Sequence, residues 1–400
     1  MIQLKDICDI YDCPHTTAKD EGKGYPLVRT PNVGKGRLIL DGIHRVSEDV
    51  YNSRNARAIP EEGDLILARE APVGNVSIIM DGQRVCLGQR VVLIKPKREL
   101  VDPHFLTYYL LSAEVQHRLK NHANGAVVAH LNVSDIRNLW VTLPELEEQV
   151  AIGKILRSID DKIELNRQIN DNLEQQIQTL YREWFIDNPK TEWATIALSE
   201  VATFISGYSY KGNELVDSSE TAMATIKNFE RNGGFKLDGY KPVSPSSKLK
   251  EEQHAELFDI LVAHTDLTQN AEVIGNAEII LSKDSYRDVI FSMDLVKVVA
   301  KESFPYQFLL ALLLKNPVFK SHCIGYVNGT TVLHMNKRAL PDFNTQIPTC
   351  EDAARMNEIA KSIFTKMSEN LSEIANLTKL RDSLLPKLMS GELKINEIDC

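Results

Sequence analysis

Residues 152–184 read IGKILRSIDDKIELNRQINDNLEQQIQTLYREW, and the apolar spacing in this stretch decides the fold. Ile152, Leu156, Ile159, Ile163, Asn166, Asn170, Leu173, Ile177, Leu180 and Trp184 follow at alternating steps of four and three. That is the a/d repeat of a coiled-coil seam. Adding 204 to each number gives Met356, Ala360, Ile363, Met367, Asn370, Ile374, Leu377, Arg381, Leu384 and Leu388, a second seam in which Asn166 returns as Asn370. The two halves repeat outside the helices as well. Leu4-Lys5-Asp6-Ile7 matches Leu198-Ser199-Glu200-Val201, and Gly63 to Ala68 matches Phe258 to Ala263. Phe105 to Leu111 matches Phe308 to Leu314. Asn124-Gly125 with Val127 to Leu131 matches Asn328-Gly329 with Thr331 to Met335, and Leu143-Pro144 matches Ile347-Pro348. Five matches in one order mark a duplicated module, a mixed α/β domain followed by a long helix. Two units are too few for a solenoid. A duplicated protein usually faces something that is itself two-fold.

The expected organisation follows. Residues 1–144 form one mixed α/β domain, with strand-like runs at Leu38–Leu40, Leu65–Ala68, Val76–Met80 and Val91–Ile94, and helical spacing from His104 to Leu119. Residues 145–187 form the first helix, entered after Pro144 and stopped before Asn188-Pro189. Residues 188–348 repeat the domain, after a linker at 190–196. Residues 349–400 carry the second helix, with Pro386 expected to kink its last turns and Ser390-Gly391 to end it. The fold class is α+β: two globular domains and two long antiparallel coiled-coil helices in a pseudo-twofold arrangement. Each helix of about 40 residues spans ~60 Å. An antiparallel crossing near residue 168 sets Asn170 level with Asn370. A buried seam Asn fixes register, so Asn166, Asn170 and Asn370 are the expected pairing residues.

Composition bounds the function. The N-terminus lacks a basic-then-apolar leader, and no apolar run approaches the ~20 residues of a membrane span. Six scattered cysteines make no disulfide framework, which fits a reducing cytoplasm. Cys8, Cys13 and His15 do not have zinc spacing and read better as packing or surface residues. The net charge of −9 argues at first against nucleic acid, but the acids concentrate in the helices: residues 145–187 hold ten acids and five bases. The globular parts carry basic stretches that could make local phosphate contacts.

Catalytic signatures are wanting. There is no phosphate-binding glycine loop with its Lys-Ser/Thr. Asn316-Pro317-Val318-Phe319 lacks the second proline of the methyltransferase Asn-Pro-Pro-Phe loop and reads as a helix break. His130 and His334 occupy matched apolar contexts and read as packing histidines. Ala263-His264-Thr265-Asp266 has no nucleophile motif beside it. Neither cofactor nor metal is expected.

Leu143-Pro144-Glu145-Leu146-Glu147-Glu148-Gln149, Ile159-Asp160-Asp161-Lys162-Ile163, Leu173-Glu174, Trp184-Phe185 and the run from Leu380 to Leu393 resemble the helical regions of type I restriction–modification specificity (S) subunits. Gly63 to Ala68, Ala263 to Thr268 and Asn228 to Phe235 resemble stretches of that family's target recognition domains. The resemblance covers the whole chain. It implies that each recognition domain reads one half of an asymmetric, bipartite site in double-stranded DNA. It further implies that the helices dock two methyltransferase subunits, that restriction/translocase subunits join, and that the chain does no chemistry itself. A span of ~60 Å exceeds the roughly 34–36 Å between half-sites one DNA turn apart. Base and phosphate chemistry selects Arg29, Asn32, Lys35 and Arg69 in the first domain as DNA-contact candidates, and Tyr210, Lys211, Lys227, Asn228 and His264 in the second. Glu148, Gln149, Trp184 and Phe185 are the candidates for partner docking. The second helix enters through Ile347-Pro348-Thr349-Cys350-Glu351-Asp352-Ala353, without the Glu-Gln of the first, so docking is expected to be unequal. The alternative is a non-DNA scaffold with two protein-binding domains on the same spacer; an enzyme ranks third.

Overall fold

The computed structural model describes residues 1–122, 130–329 and 332–395. The repeat residues Asn124, Gly125, Val127, Val128, Ala129 and Thr331, with Cys400, lie outside the described residues. The chain divides into two compact units, Met1–Lys162 with Leu377–Cys400, and Ile163–Asn376.

In the first unit a five-stranded sheet runs Cys8–Asp12, Val91–Pro96, Leu65–Ala68, Val76–Ile78, Gly36–Arg37. Its pairings are antiparallel except the last, where Gly36 lies opposite Ser77 in parallel register. Leu65–Ala68 and Val91–Ile94 are buried on both faces, so these central strands are continuous apolar runs rather than alternating ones. A smaller sheet sets Tyr25–Val28 between Arg45–Val46 and Cys86–Leu87. The helical stretch after residue 103 is two helices, Pro103–Leu111 and Ala113–His122. Ser112 separates them in an extended conformation, its Oγ donating to Tyr109 O at 2.7 Å. Leu38–Leu40 is not a strand. Pairing falls on Gly36–Arg37, with an isolated bridge between Val33 and Leu38.

The second unit rebuilds this plan. Ala202–Ser206, Leu295–Ala300, Ile260–Ala263 and Ala277–Ile279 form its main sheet, in that order and all antiparallel. Thr221–Ala224 lies between Lys241–Pro242 and Asp288–Phe291. Gln307–Leu314 and Pro317–Ile324 are its helices. Asn316 caps the second of these, its Oδ1 accepting from Val318 N and Phe319 N, which is why Asn316-Pro317 breaks the apolar helical run.

The first long helix spans Leu146–Tyr181 and continues as a π-helical turn, Arg182–Asp187; the second spans Cys350–Ser390 and runs on through Pro386. Gly391, at φ +73°, ends it. Seam residues face inward. Ile152 and Leu156 join the core of the first unit, with Leu388. Ile177, Met356, Ala360, Ile363 and Met367 join that of the second. Within the second unit the seam asparagines bond between the helices: Asn370 Nδ2 donates to Asn170 Oδ1 at 2.8 Å, Asn170 Nδ2 to Met367 O at 3.2 Å, and Asn166 Nδ2 to Glu373 Oε2 at 2.8 Å. Residue numbers rise on one helix as they fall on the other, so these segments are antiparallel. Within the first unit Arg381 of the second helix donates to Asp160 of the first at 2.8 Å. Asp160 also accepts from the Tyr108 hydroxyl at 2.7 Å.

Candidate nucleic-acid interface

Each unit presents a hairpin built on the same hydrogen bonds. In the first, a 3₁₀ turn, Thr30–Asn32, follows the Tyr25–Val28 strand. Asn32 Oδ1 accepts from Arg29 N at 3.1 Å, and its Nδ2 donates to Ile39 O at 3.2 Å. Ile39 N returns a bond to Asn32 O at 2.9 Å, closing the loop. In the second unit the turn is Ile226–Asn228. Asn228 Oδ1 accepts from Thr225 N at 2.9 Å, Nδ2 donates to Lys236 O at 2.7 Å, and Lys236 N donates to Asn228 O at 2.7 Å. A second asparagine repeats too: Asn75 Nδ2 donates to Val33 O at 2.9 Å, Asn276 Nδ2 to Glu230 O at 2.7 Å. Asn32 and Asn228 thus commit their amides to the backbone, which leaves no free donor–acceptor edge for a base. What the frames present is Arg29, at the end of the strand, and the tip residue Lys35 in one unit, with Lys227 in the other; Lys35 and Lys227 are exposed. Arg29 Nε is buried and finds no acceptor among the described residues.

Arg69 is also committed. It is buried, and its guanidinium donates to Leu131 O and Asp12 Oδ1, both at 2.8 Å, and meets His130 Nε2 at 2.7 Å. His130 in turn faces Glu70 at 2.9 Å. His264 stands at the matching place: Met335 N donates to its carbonyl as Leu131 N donates to that of Arg69, both at 2.9 Å. Burial holds the His264 imidazole below its ordinary pKa, helped by the neighbouring His334 and Lys337 and opposed by Asp294. Tyr210 is half-buried in the small cluster around Tyr208, and Lys211 is exposed on the adjoining turn.

The docking candidates divide the same way. Gln149 is buried, its Oε1 accepting from Asp102 N at 3.1 Å and its Nε2 donating to Pro144 O at 2.9 Å. Phe185 is buried between Tyr181 and Trp193. Glu148 and Trp184 are half-buried. Exposed apolar side chains on the long helices and the π-helical turn include Val150, Leu165, Ile186, Ile359 and Leu380.

Among the described residues no cluster of three or more His, Cys, Asp or Glu side chains could hold a metal. Burial pushes the thiols of Cys8 and Cys323 up to about 12 and that of Cys86 to about 11, which removes thiolate reactivity. No described helix is long and apolar enough to cross a membrane.

The model of the type I restriction modification DNA specificity domain matches residues 1–175. The type I restriction enzyme MjaIX specificity subunit of Methanocaldococcus jannaschii is 24% identical, over 99% of this chain and 94% of its own. The HindI specificity subunit of Haemophilus influenzae is 25% identical, over 84% and 88%. The crystal structure of the type I restriction–modification S subunit from M. genitalium has the same fold, with a TM-score of 0.61 at 16% identity, over 97% of this chain and 95% of that one. The chain is thus similar, over most of its length, to type I restriction enzyme specificity subunits. Both relatives are named as specificity subunits. The paired asparagines Asn75 and Asn276 escaped the sequence reading. Their signal is there, a repeated Gly74-Asn75 and Gly275-Asn276 in the order of the other matches.

Proposed function

We propose that this chain is the DNA-sequence-reading subunit of a type I restriction–modification complex. Residues 1–144 and 188–348 serve as two target recognition domains, each reading one half of an asymmetric, bipartite site in double-stranded DNA. The helices at 145–187 and 349–400 space the two readers and dock two methyltransferase subunits, with restriction/translocase subunits joining the assembly. The observation that carries this reading is the duplicated hairpin frame, which has the same buried hydrogen bonds in both units but different exposed polar groups. Like frames with unlike side chains suit two half-sites of different sequence. Among the sequence candidates, Arg29, Lys35, Lys211 and Lys227 remain the DNA contacts, with Tyr210 beside Lys211. Asn32 and Asn228 hold the two loops from beneath, whereas the Arg69 guanidinium is committed to Leu131, Asp12 and His130, and His264 is bonded through its backbone to Asp294 and Met335. Docking falls on exposed helix positions such as Val150, Leu165, Ile359 and Leu380, flanked by Glu148 and Trp184.

The test is a gel shift on genomic fragments with the methyltransferase partner over a salt series. Specific retention should survive competitor DNA and fall linearly in log affinity against log salt. Absence of specific retention at every salt concentration would favour the protein scaffold instead.

A further inference from the structure

Buried polar groups are expensive unless bonded, and most domains spend them on their own cores. Here several are spent on an exposed loop. Beneath the first hairpin, Asn32 and Asn75 hold its base, and Ser77 Oγ lies 2.7 Å from Arg37 O and 3.2 Å from Gly34 O. Arg37, a tip cation, is itself tied to Asp161 of the first long helix. Beneath the second, Asn228 and Asn276 repeat the clamp, Glu278 Oε1 accepts from Gly234 N at 2.6 Å, and Lys320 Nζ donates to Arg231 O at 3.3 Å. Loops ordinarily stay mobile, and a reading group held by bonded supports is the arrangement recognition needs. Between the isolated bridges Val33–Leu38 and Phe229–Phe235, the tips are residues 34–37 and 230–234. The second is therefore one residue longer. Lys35 is exposed with no partner among the described residues; the exposed Arg231 guanidinium lies 3.1 Å from Glu272, and Asn232 is exposed without a described hydrogen bond. Gly36, at φ +92°, follows Lys35, and Gly233, at +90°, follows Asn232, left-handed conformations that glycine adopts without strain.

We propose that these two clamped tips are the base-reading elements, Lys35 for one half-site and Arg231 with Asn232 for the other. The proposal rests on the DNA-reading function above and deepens it. Lysine or arginine addresses guanine O6 and N7, and asparagine pairs with adenine N6 and N7. The longer second tip, with its fork and amide, can engage two adjacent base pairs, whereas the single ammonium of the first engages one. The asymmetry of the site then resides in tip length and chemistry, not in the frame.

The experiment is enrichment from a randomised duplex library by the full chain, alone and with its methyltransferase partner, read by sequencing. Lys35→Ala should cut base discrimination about tenfold or more at one position of one half-site, with Lys35→Arg retaining it. The double variant Arg231→Ala, Asn232→Ala should relax adjacent positions in the other half-site only. Asn32→Ala should relax the same position as Lys35→Ala although the tip residue is intact, with an ordered melting transition showing that the domain still folds. Arg287→Ala, which removes an exposed cation that lies 3.6 Å from Glu220 and belongs to neither tip, should leave the motif unchanged. If the unsubstituted protein enriches a motif and both tip variants enrich the same motif at the same contrast, the tips are not readers. If the unsubstituted protein enriches none in either form, the DNA-reading function itself fails.

Discussion

Lys315 is the most consequential single charge in the second unit. Its side chain is 13% exposed, ion-paired to Glu278 and lying 3.3 Å from Glu174 of the first long helix. The two carboxylates raise its pKa above the ordinary lysine value although burial acts the other way. Lys315→Met removes the cation and leaves both acids. Removing one partner of a buried pair costs about 3–5 kcal/mol when the remaining charge is fully desolvated. Glu278, at 4% exposure, is left close to that condition, whereas Glu174, at 29%, retains water. The lower end applies, about 3 kcal/mol, or roughly 6–12 °C in Tm for a cooperative unit of 150–250 residues. The double variant Lys315→Met, Glu278→Gln keeps an acceptor for Gly234 N–H and removes the stranded charge. It should recover more than half of the loss. Differential scanning calorimetry of the three proteins measures this. A shift below 2 °C for Lys315→Met, or no recovery in the double variant, would refute the reasoning.

Other outcomes follow from single contacts. Asn370→Leu strands Asn170 Oδ1 inside the seam and should cost about 1 kcal/mol, while the double variant with Asn170→Leu should regain it; a denaturant double-mutant cycle with a coupling energy near zero would remove the pair as a unit. Tyr108→Phe withdraws a hydroxyl from the Asp160 carboxylate, a charge-assisted bond, so urea unfolding of the first unit should shift by about 1.5–3 kcal/mol. The native state holds His264 neutral by burial, whereas the unfolded chain protonates it below about pH 6.5. The stability it contributes is therefore full above 6.5 and lost as pH falls through the lowered native value, and His264→Gln should flatten that acid limb in Tm against pH. Leu165→Glu, at an exposed helix position, should reduce recovery of methyltransferase subunits in a pull-down while leaving Tm nearly unchanged.

What the sequence reveals and conceals has a physical pattern. Periodicity exposes the helices, because a four-three seam survives whatever its partner is; both long helices and their inward Ile152, Leu156, Met356 and Met367 are legible that way. Repetition exposes the second unit for the same reason. Direction is what one-dimensional text withholds. Asn32 and Asn228 have the right chemistry for adenine, but both amides point into their own loops, and Arg69 spends its fork on Asp12 and Leu131. Gln149 and Phe185 stand beside exposed neighbours on the helix, yet their faces turn inward. The Leu38–Leu40 run looks like a strand by composition. The loop closure from Asn32 to Ile39 moves the pairing two residues earlier, to Gly36–Arg37. Asn75 and Asn276 lie outside any apolar rhythm, so only the repeat itself announces them.

Sequencing methylated adenines in DNA exposed to the complete complex, in one long-read measurement, tests the central claim most directly. The account predicts two short, different motifs separated by a fixed number of unspecified base pairs, with Lys35→Ala blurring one motif and leaving the other sharp. A single continuous motif, a gap that varies from site to site, or methylation without sequence preference would contradict it.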